Sequence, residues 1–392
     1  MGIAVTAIDR REFLRLGGLA WLASRRPLLG RQSALPGGRL LGTLPLEGDR
    51  PAQPPPFGRV LGAGLDARLF TDLSTLTPDT LIIPNERFFI RTTCPPALPA
   101  AGPWTIAFGG LVRTPREVTL DSLRSLVRPM GTCVLECAGN NNPTTFGLMS
   151  AARWDGIPLI SLLDRITPQS RAAWVAVSGV DDLTQASQTS VPGAAWIFSR
   201  ADLERTRAFV ATRMNGAPLP RDHGFPVRLV VPGWYGCTWI KWVNRIDTVG
   251  DTAPATSQMR EFARRTHQDG EPTLAREFAP AAVDTAAMPV RVEKWTAGGR
   301  IVYRVVGLLW GGSPSTGPSN ALQIRFKTNQ SWVAVDDSPM PAGPTDWAVW
   351  SHLWRPEAPG RYQIVLRVND PAVPTWRLDL FFYTRGVTVE EV

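Results

Sequence analysis

The sequence predicts an α+β protein in which a mixed α/β domain is followed by an immunoglobulin-like β-sandwich. The chain has 392 residues, 44% of them hydrophobic and 19% charged, which is enough apolar material for two globular domains. Its 35 glycines and 36 prolines disfavour long helical bundles and favour short strands joined by turns. After Pro289 the strong apolar segments are strand-like and regularly spaced, which predicts the sandwich.

The individual elements follow from apolar period and turn residues. In the first domain we expect strands at 87–91, 104–108, 133–137, 174–178 and 227–231, and helices at 120–127 and 199–209. In the sandwich we expect strands at 290–295, 300–308, 322–327, 347–354, 361–368 and 376–383. The predicted organisation is a leader at 1–31, a Pro/Gly-rich lead-in without sustained period at 32–75, a catalytic domain at 76–284 and the sandwich at 285–392.

The N-terminus has the features of an export signal. Arg10 and Arg11 are followed by Phe13, Leu14 and an apolar run at 16–23, a pattern that resembles a twin-arginine signal. Eight apolar residues are too few to span a bilayer, which needs about 20. We therefore expect a periplasmic protein, exported in the folded state, without a stable membrane anchor. A surface amphipathic helix is the alternative.

The net charge of +8 has little bearing on partners. Only three residues are lysines, and removal of residues 1–31, with six arginines and two acids, would leave a charge of +4. Because no basic run with interleaved aromatic residues lies outside the leader, we expect no nucleic-acid partner.

The cysteine pattern excludes several electron carriers. Cys94, Cys133, Cys137 and Cys237 form no C-x-x-C and no C-x-x-C-H motif. A zinc ribbon, an iron–sulfur ferredoxin site and a c-type haem are therefore not predicted. If the protein performs redox chemistry, its electron carrier must be a separate protein.

Two motifs carry the chemistry. Cys137-Ala-Gly-Asn140 ends a short strand, although a free cysteine is often only a small buried hydrophobic residue. The second motif, M-N-G-A-P-L-P-R-D-H-G-F-P-V-R, contains His223 and Arg228 and is followed by P-G-W-Y-G and by Lys241-Trp. Taken alone, His223 could lie in a capped turn, Arg228 in an ion pair at a strand edge, and Lys241 in solvent.

Together the two motifs, with eighteen residues from His223 to Lys241, resemble the sulfite oxidase family of molybdopterin enzymes over roughly residues 80–385. The resemblance implies a molybdopterin-binding domain, a sandwich that forms a homodimer, and a molybdenum–molybdopterin cofactor. It implies that Cys137 is the metal ligand, and a thiolate suits a metal that keeps positions open for oxo chemistry. The implied cofactor-binding residues are Arg91, Asn140, Asp181, His223, Arg228, Trp239, Ile240 and Lys241.

The substrate pocket departs from the family pattern. Asn141 and Asn142 stand where two arginines are usual, His267 matches the active-site tyrosine, and His352 matches a pocket arginine of the second domain. The implied catalytic residues are therefore His267, Asn141 and His352, with a plain loop histidine as the alternative for His267. Fewer arginines disfavour sulfite and favour a less charged or larger sulfur substrate. Protonated histidines would make the KM for sulfite rise between pH 6 and pH 8.

The predicted function is oxidation of sulfite or a related sulfur compound by oxygen-atom transfer, with electrons passed to an external acceptor, most simply a c-type cytochrome. The alternatives are a sulfane-dehydrogenase-like enzyme, a molybdoenzyme with another substrate, and a non-catalytic periplasmic protein on the same fold. A methionine-sulfoxide-reductase relative is disfavoured, since those relatives lack the trailing sandwich.

Overall fold

The computed structural model describes residues 35–48, 66–93, 103–143, 146–180, 194–312, 321–327, 330–343 and 345–392. The predicted export signal, Cys94 and Asp181 lie outside these ranges. The strands before the sandwich are β1 Gly38–Leu44, β2 Asp66–Leu69, β3 Ile90–Thr93, β4 Thr105–Gly110, β5 Arg116–Thr119, β6 Arg128–Glu136, β7 Met149–Pro158, β8 Trp174–Gly179, β9 Ala195–Ser199, β10 Phe209–Met214, β11 Ala217–Pro218, β12 Arg228–Val230 and β13 Val243–Val249. Those that follow are β14 Ala286–Ala297, β15 Arg300–Trp310, β16 Leu322–Arg325, β17 Val333–Ala334, β18 Trp347–Trp354, β19 Gly360–Val368 and β20 Arg385–Val389. The α-helices are α1 Leu159–Leu163, α2 Arg200–Arg205, α3 Ser257–Phe262 and α4 Trp376–Asp379, and short 3-10 helices occupy Leu73–Thr75, Leu120–Leu126, Arg221–His223, Gly236–Thr238, Ala263–Arg265 and Ala275–Glu277.

Two five-stranded sheets build the first part of the chain. One has the order β11-β10-β7-β6, with β12 also paired to β10. The other has the order β5-β4-β13-β8-β9, in which β4 and β13 are parallel and the other pairs antiparallel. The short helices lie between these strands, as the predicted α+β class requires.

Two four-stranded sheets form the C-terminal sandwich, with the orders β1-β14-β15-β18 and β17-β16-β19-β20. The first of them contains a strand from the segment predicted as an irregular lead-in, since Leu40 of β1 pairs with Trp295 of β14. Most side chains of β1 are exposed or half-buried. Its sequence therefore carries no period-2 burial pattern, and backbone pairing with β14 decides its structure.

The prediction of a strand at 376–383 is wrong. The chain forms α4 there, with Thr375 Oγ1 donating to Asp379 Oδ2 at 2.8 Å. Two consecutive residues, Arg377 and Leu378, are buried, so the segment lacks the alternation of a strand. Phe381, with a φ of 59°, turns the chain towards β20. The predicted helix at 120–127 is a 3-10 helix, and that at 199–209 is shortened to α2.

One contiguous hydrophobic core joins the two parts, with members from Leu46 to Val389. The end of β6 is consequently packed against the sandwich, with Trp310 Nε1 donating to Glu136 Oε2 at 2.8 Å. Among the residues that the structure describes, no helix has the length and apolar character needed to cross a membrane.

Candidate active site

Cys137 lies in a tight turn at the end of β6. Strands β6 and β7 are antiparallel. Just beyond their last paired residues, the Cys137 N–H donates to Leu148 O at 2.9 Å. The turn closes through Asn140 N–H to Cys137 O at 2.8 Å, and Gly139 N–H donates to Cys137 Sγ at 3.4 Å. The hairpin therefore holds a buried thiol in a defined place, as the sequence predicts.

Asn140 is fully buried beside this thiol. Its Nδ2 donates to Glu136 Oε1 at 3.1 Å, but Oδ1 has no hydrogen-bond partner among the described residues. A buried amide oxygen without a donor is costly unless a further group satisfies it. The turn thus has an acceptor available for a bound ligand.

Glu136 connects the turn to the sandwich. Its buried carboxylate accepts from Tyr383 OH and from Trp310 Nε1, each at 2.8 Å, and lies 3.8 Å from Arg377 Nη1. All three partners belong to the C-terminal part of the chain. The position of the Cys137 turn therefore depends on both parts of the molecule.

Arg377 is the cation that the sandwich contributes to this site. Its Nη2 donates to Ala138 O at 2.9 Å and to Arg265 O at 2.8 Å, and its guanidinium lies 4.2 Å from the Tyr235 ring centroid. The sequence does not identify this residue. No local motif marks it, and the segment around it predicts a strand.

His352 is not brought to the cluster. It lies on β18, where its Nδ1 is 3.2 Å from Asp336 Oδ2 and its ring stacks on Phe326 at 5.9 Å. On the same strand, Trp347 pairs with Trp310, which lies near the site. His352 is five residues beyond Trp347, so at about 3.4 Å per residue it lies about 17 Å from Trp347 along the strand. The sequence analysis expected His352 to contribute the charge of the second domain, and this is wrong. Arg377 is the cation of the second domain that contacts the cysteine turn.

His267 adopts a left-handed backbone, with a φ of 63°. Its ring centroid is 4.2 Å from that of Trp376, and Nε2 lies 3.3 Å from Tyr235 OH and 3.6 Å from Asp284 Oδ2. Burial, with a contribution from Arg377, lowers the pKa of His267 to about 4. The imidazole is therefore neutral at pH 7, in contact with a tyrosine hydroxyl.

This protonation state changes the expected pH dependence. His267 therefore stays neutral between pH 6 and pH 8, and burial also lowers the pKa of His352, which lies away from the cluster. We expect wild type and His267→Asn to show the same shape of KM against pH in that range, since titration of the substrate is common to both. Steady-state kinetics at six pH values would check this, and a rise in KM that disappears in the variant would contradict it.

The long second motif folds through local turn chemistry. Asn215 and Gly216, with φ values of 52° and 78°, form the two-residue turn that joins β10 and β11, as an Asn-Gly pair favours. The Asn215 side chain donates to Ile83 O at 2.8 Å. Beyond the turn, a 3-10 helix carries His223 and ends at Gly224, whose φ is 105°.

His223, Arg228 and Lys241 converge around Gly224. A Cβ at Gly224 would lie 3.0 Å from Arg228 Cβ and 3.2 Å from Lys241 Cβ, so glycine permits the close approach. Lys241 Nζ donates to Asp222 O, which joins the two ends of the motif. Burial, Lys241 and Arg228 together hold the pKa of His223 well below its ordinary value.

The surroundings of Arg228 show whether these residues fit an anionic cofactor. It is 2% exposed, donates to His223 O at 3.2 Å and to Trp239 O at 3.1 Å, and has a pKa lowered by burial to about 9. Its Nε has no hydrogen-bond partner, and no carboxylate lies within 4 Å of its guanidinium among the described residues. A buried cation without a counter-charge fits a phosphate-bearing group such as a pterin cofactor.

The other predicted cofactor residues are distributed along the same segment. Trp239 is buried, its ring centroid 5.9 Å from that of Trp154, and Ile240 O accepts from Leu229 N–H at 2.7 Å. Residues 234–241 thereby connect Arg228 to the Cys137 turn, where a Cβ on Gly236 would lie 3.7 Å from Cys137 Cα. In the part of the chain that the structure describes, no three His, Cys, Asp or Glu side chains form a metal cluster.

Two further arginines lie against the ring of Phe262. The guanidinium groups of Arg91 and Arg265 lie 6.0 Å and 5.1 Å from the Phe262 ring centroid, and neither has a carboxylate within 4 Å among the described side chains. Arg265 also acts to lower the pKa of Cys237, although burial and the neighbouring Cys137 raise it overall. Asn141 and Asn142, which hydrogen-bond to each other, stand where arginines were expected. Arg377 and Arg265 nevertheless bring positive charge to this part of the molecule.

Comparison with known proteins agrees with this geometry. A family model described as the oxidoreductase molybdopterin binding domain matches residues 94–257. Sulfite oxidase of Gallus gallus is 28% identical over 347 residues, covering 77% of this chain and 71% of that protein. Mitochondrial sulfite oxidase of Homo sapiens is 29% identical over 271 residues, which covers 60% of this chain and 49% of that protein. The chain thus spans about half the length of the mammalian relatives that it matches.

A solved structure shows the same fold. The sulfane dehydrogenase SoxCD from Paracoccus pantotrophus aligns with a TM-score of 0.62 and 19% identity, covering 85% of this chain and 89% of that one. The matched family model and the relatives show that the chain contains a molybdopterin-binding oxidoreductase domain, which implies a molybdenum–molybdopterin cofactor. Within that class the chain is similar to the sulfite oxidases, which confirms the resemblance seen in the sequence.

Proposed function

We propose that this protein oxidises sulfite or a related sulfur compound and passes the electrons to an external acceptor. The observation that carries the proposal is that residues 234–241 connect a strand-end thiol, Cys137, to a buried arginine without a counter-charge, Arg228. A thiol and an unpaired cation at the two ends of one segment suit a metal bound to an anionic organic group.

Each residue has a defined task in this proposal. Cys137 Sγ would hold the metal, and His223, Arg228 and Lys241 would bind the anionic tail of the cofactor. When bound, the cofactor supplies transfer of an oxygen atom that originates from water, together with acceptance of two electrons. Arg265 and Arg377 would draw an anionic substrate towards Cys137 and hold its oxygen atoms.

The neutral His267 has a separate role. Its Nε2 lies 3.3 Å from Tyr235 OH, and burial raises the pKa of that hydroxyl well above its ordinary value. The pair can therefore exchange a hydrogen bond with a substrate oxygen without adding charge to the site. A neutral pair beside arginines favours a monoanionic substrate over a dianionic one.

The experiment that tests the function uses the full chain produced with molybdenum available. We expect about one molybdenum per chain by elemental analysis, and reduction of ferricyanide and of a c-type cytochrome that depends on a sulfur substrate. Protein that folds and binds no molybdenum would support the non-catalytic alternative. Molybdenum-loaded protein that oxidises no sulfur compound in a panel of sulfite, sulfinates and persulfides would contradict the proposed substrate class.

Export and assembly are further parts of the proposal. We propose that the twin-arginine segment directs the folded protein to the periplasm, where a c-type cytochrome accepts the electrons. We also propose that the sandwich mediates a homodimer, by analogy with the family. Light scattering at micromolar concentration is expected to give twice the chain mass of 42.9 kDa, and a monomer would contradict this.

A further inference from the structure

Exposed apolar side chains are concentrated beside the candidate active site. In the described part of the chain nine large hydrophobic residues are exposed, and three of them, Trp376, Leu380 and Phe381, lie within residues 376–381. We call these three residues the apolar rim. A concentration of this kind marks a binding surface more often than scattered apolar residues do.

Local structure presents the rim to solvent. Leu380 N–H donates to Trp376 O at 3.1 Å, so the two residues lie one helical turn apart. Between them, Arg377 and Leu378 point into the protein and anchor the segment. Phe381 keeps a left-handed backbone, with a φ of 59°, although bulky residues rarely adopt it.

The rim is continuous with the residues that surround Cys137. The Trp376 ring contacts the His267 ring at 4.2 Å, and the Trp376 backbone N–H hydrogen-bonds to Asp284, which also approaches His267. The next residue, Arg377, donates to Ala138 O, directly after Cys137. The rim therefore adjoins His267 and is linked to the cysteine turn through Arg377.

Charge next to this surface limits what it can accept. Arg377 follows Trp376 in the chain, and its guanidinium donates to Ala138 O and to Arg265 O, so a buried cation lies next to the rim and in contact with the cysteine turn. The complementary ligand has an anionic head and an apolar tail. Sulfite offers the head alone, whereas an organic sulfinate offers both.

We propose that the apolar rim binds the organic group of the substrate, so that the enzyme prefers an organic sulfinate over sulfite. The inference rests on the proposed function and names its substrate class. In the reaction one S–O bond forms with oxygen from water, the sulfinate becomes a sulfonate, two protons are released, and two electrons pass to the acceptor. Benzenesulfinate and methanesulfinate have the same head and differ only in the tail.

The kinetic test compares these two probes on molybdenum-loaded enzyme with ferricyanide as acceptor. We expect kcat/KM for benzenesulfinate to exceed that for methanesulfinate by about tenfold, as partial burial of a phenyl ring predicts. Trp376→Ala and Leu380→Ala should each lower kcat/KM for benzenesulfinate, mainly through KM, by a larger factor than they lower kcat/KM for methanesulfinate. Leu353→Ala, at a similarly exposed leucine on β18, is the control and should keep it.

A binding test separates this inference from the proposed function. Calorimetric titration of the holoenzyme with benzenesulfonate and methanesulfonate requires no turnover. If no sulfur compound is oxidised while benzenesulfonate still binds in a Trp376-dependent manner, the proposed function fails and the rim keeps its role in binding an organic group. If sulfite and methanesulfinate are oxidised and the phenyl group brings no advantage, the function holds and the inference is wrong. A Trp376→Ala variant that changes oligomeric state and not sulfonate affinity would also overturn it.

Discussion

Replacement of Cys137 by serine is expected to remove activity while leaving the protein folded. Even residues that only support a metal ligand typically contribute 10–100-fold, so loss of the ligand itself should lower kcat/KM by more than about 100-fold. Serine is close in size to cysteine, and the backbone hydrogen bonds of the turn do not use the thiol as donor. The measurements are substrate-dependent ferricyanide reduction, molybdenum content and circular dichroism.

The matched control is Cys133→Ser, four residues earlier on β6. Cys133 is buried as well, and burial raises the pKa of its thiol to about 12, so it is a neutral packing residue. We expect this variant to keep its molybdenum and most of its activity. Full turnover of Cys137→Ser with bound molybdenum would show that another residue holds the metal.

Removal of the Glu136 carboxylate is expected to have the largest effect on stability. Glu136→Ala leaves Arg377 as a buried cation, and it also leaves Tyr383 and Trp310 without their acceptor. Loss of one partner of a buried ion pair costs about 3–5 kcal/mol. We expect the free energy of unfolding, measured by urea denaturation, to fall by about this amount.

A second variant keeps the test informative if Glu136→Ala does not fold. Glu136→Gln preserves the volume and one acceptor oxygen, so it should lose less stability and still shift Arg377 and the Cys137 turn. Glu204→Ala is the control, because its carboxylate pairs with Arg200 at the surface and such pairs contribute about 0–1 kcal/mol. Equal losses for the Glu136 and Glu204 variants would show that the buried network does not stabilise the fold.

Several features of the site could be predicted from sequence because they are local. The turn after β6 needs only Cys137 and the three residues that follow it. The Asn-Gly pair at 215–216 specifies its own turn, and the fixed spacing from His223 to Lys241 carries the resemblance to molybdopterin enzymes. Hydrogen bonds and backbone preferences among near neighbours decide these features, so the family and the α+β class could be recognised from the order of residues.

The remaining features depend on contacts between distant segments. Glu136 and Arg377 meet across 241 positions, and the pairing of β1 with β14 brings the lead-in into the sandwich. Burial lowers the pKa of His267 to about 4, although its side chain alone predicts a value near 6.5. The sequence by itself indicated the similarity to sulfite oxidases, the strand-end thiol of Cys137 and the motif that runs from His223 to Lys241. Only the tertiary structure decided which arginine approaches the cysteine turn, the protonation state of His267 and the apolar surface beside it, because packing and desolvation arise when the two parts of the chain come together.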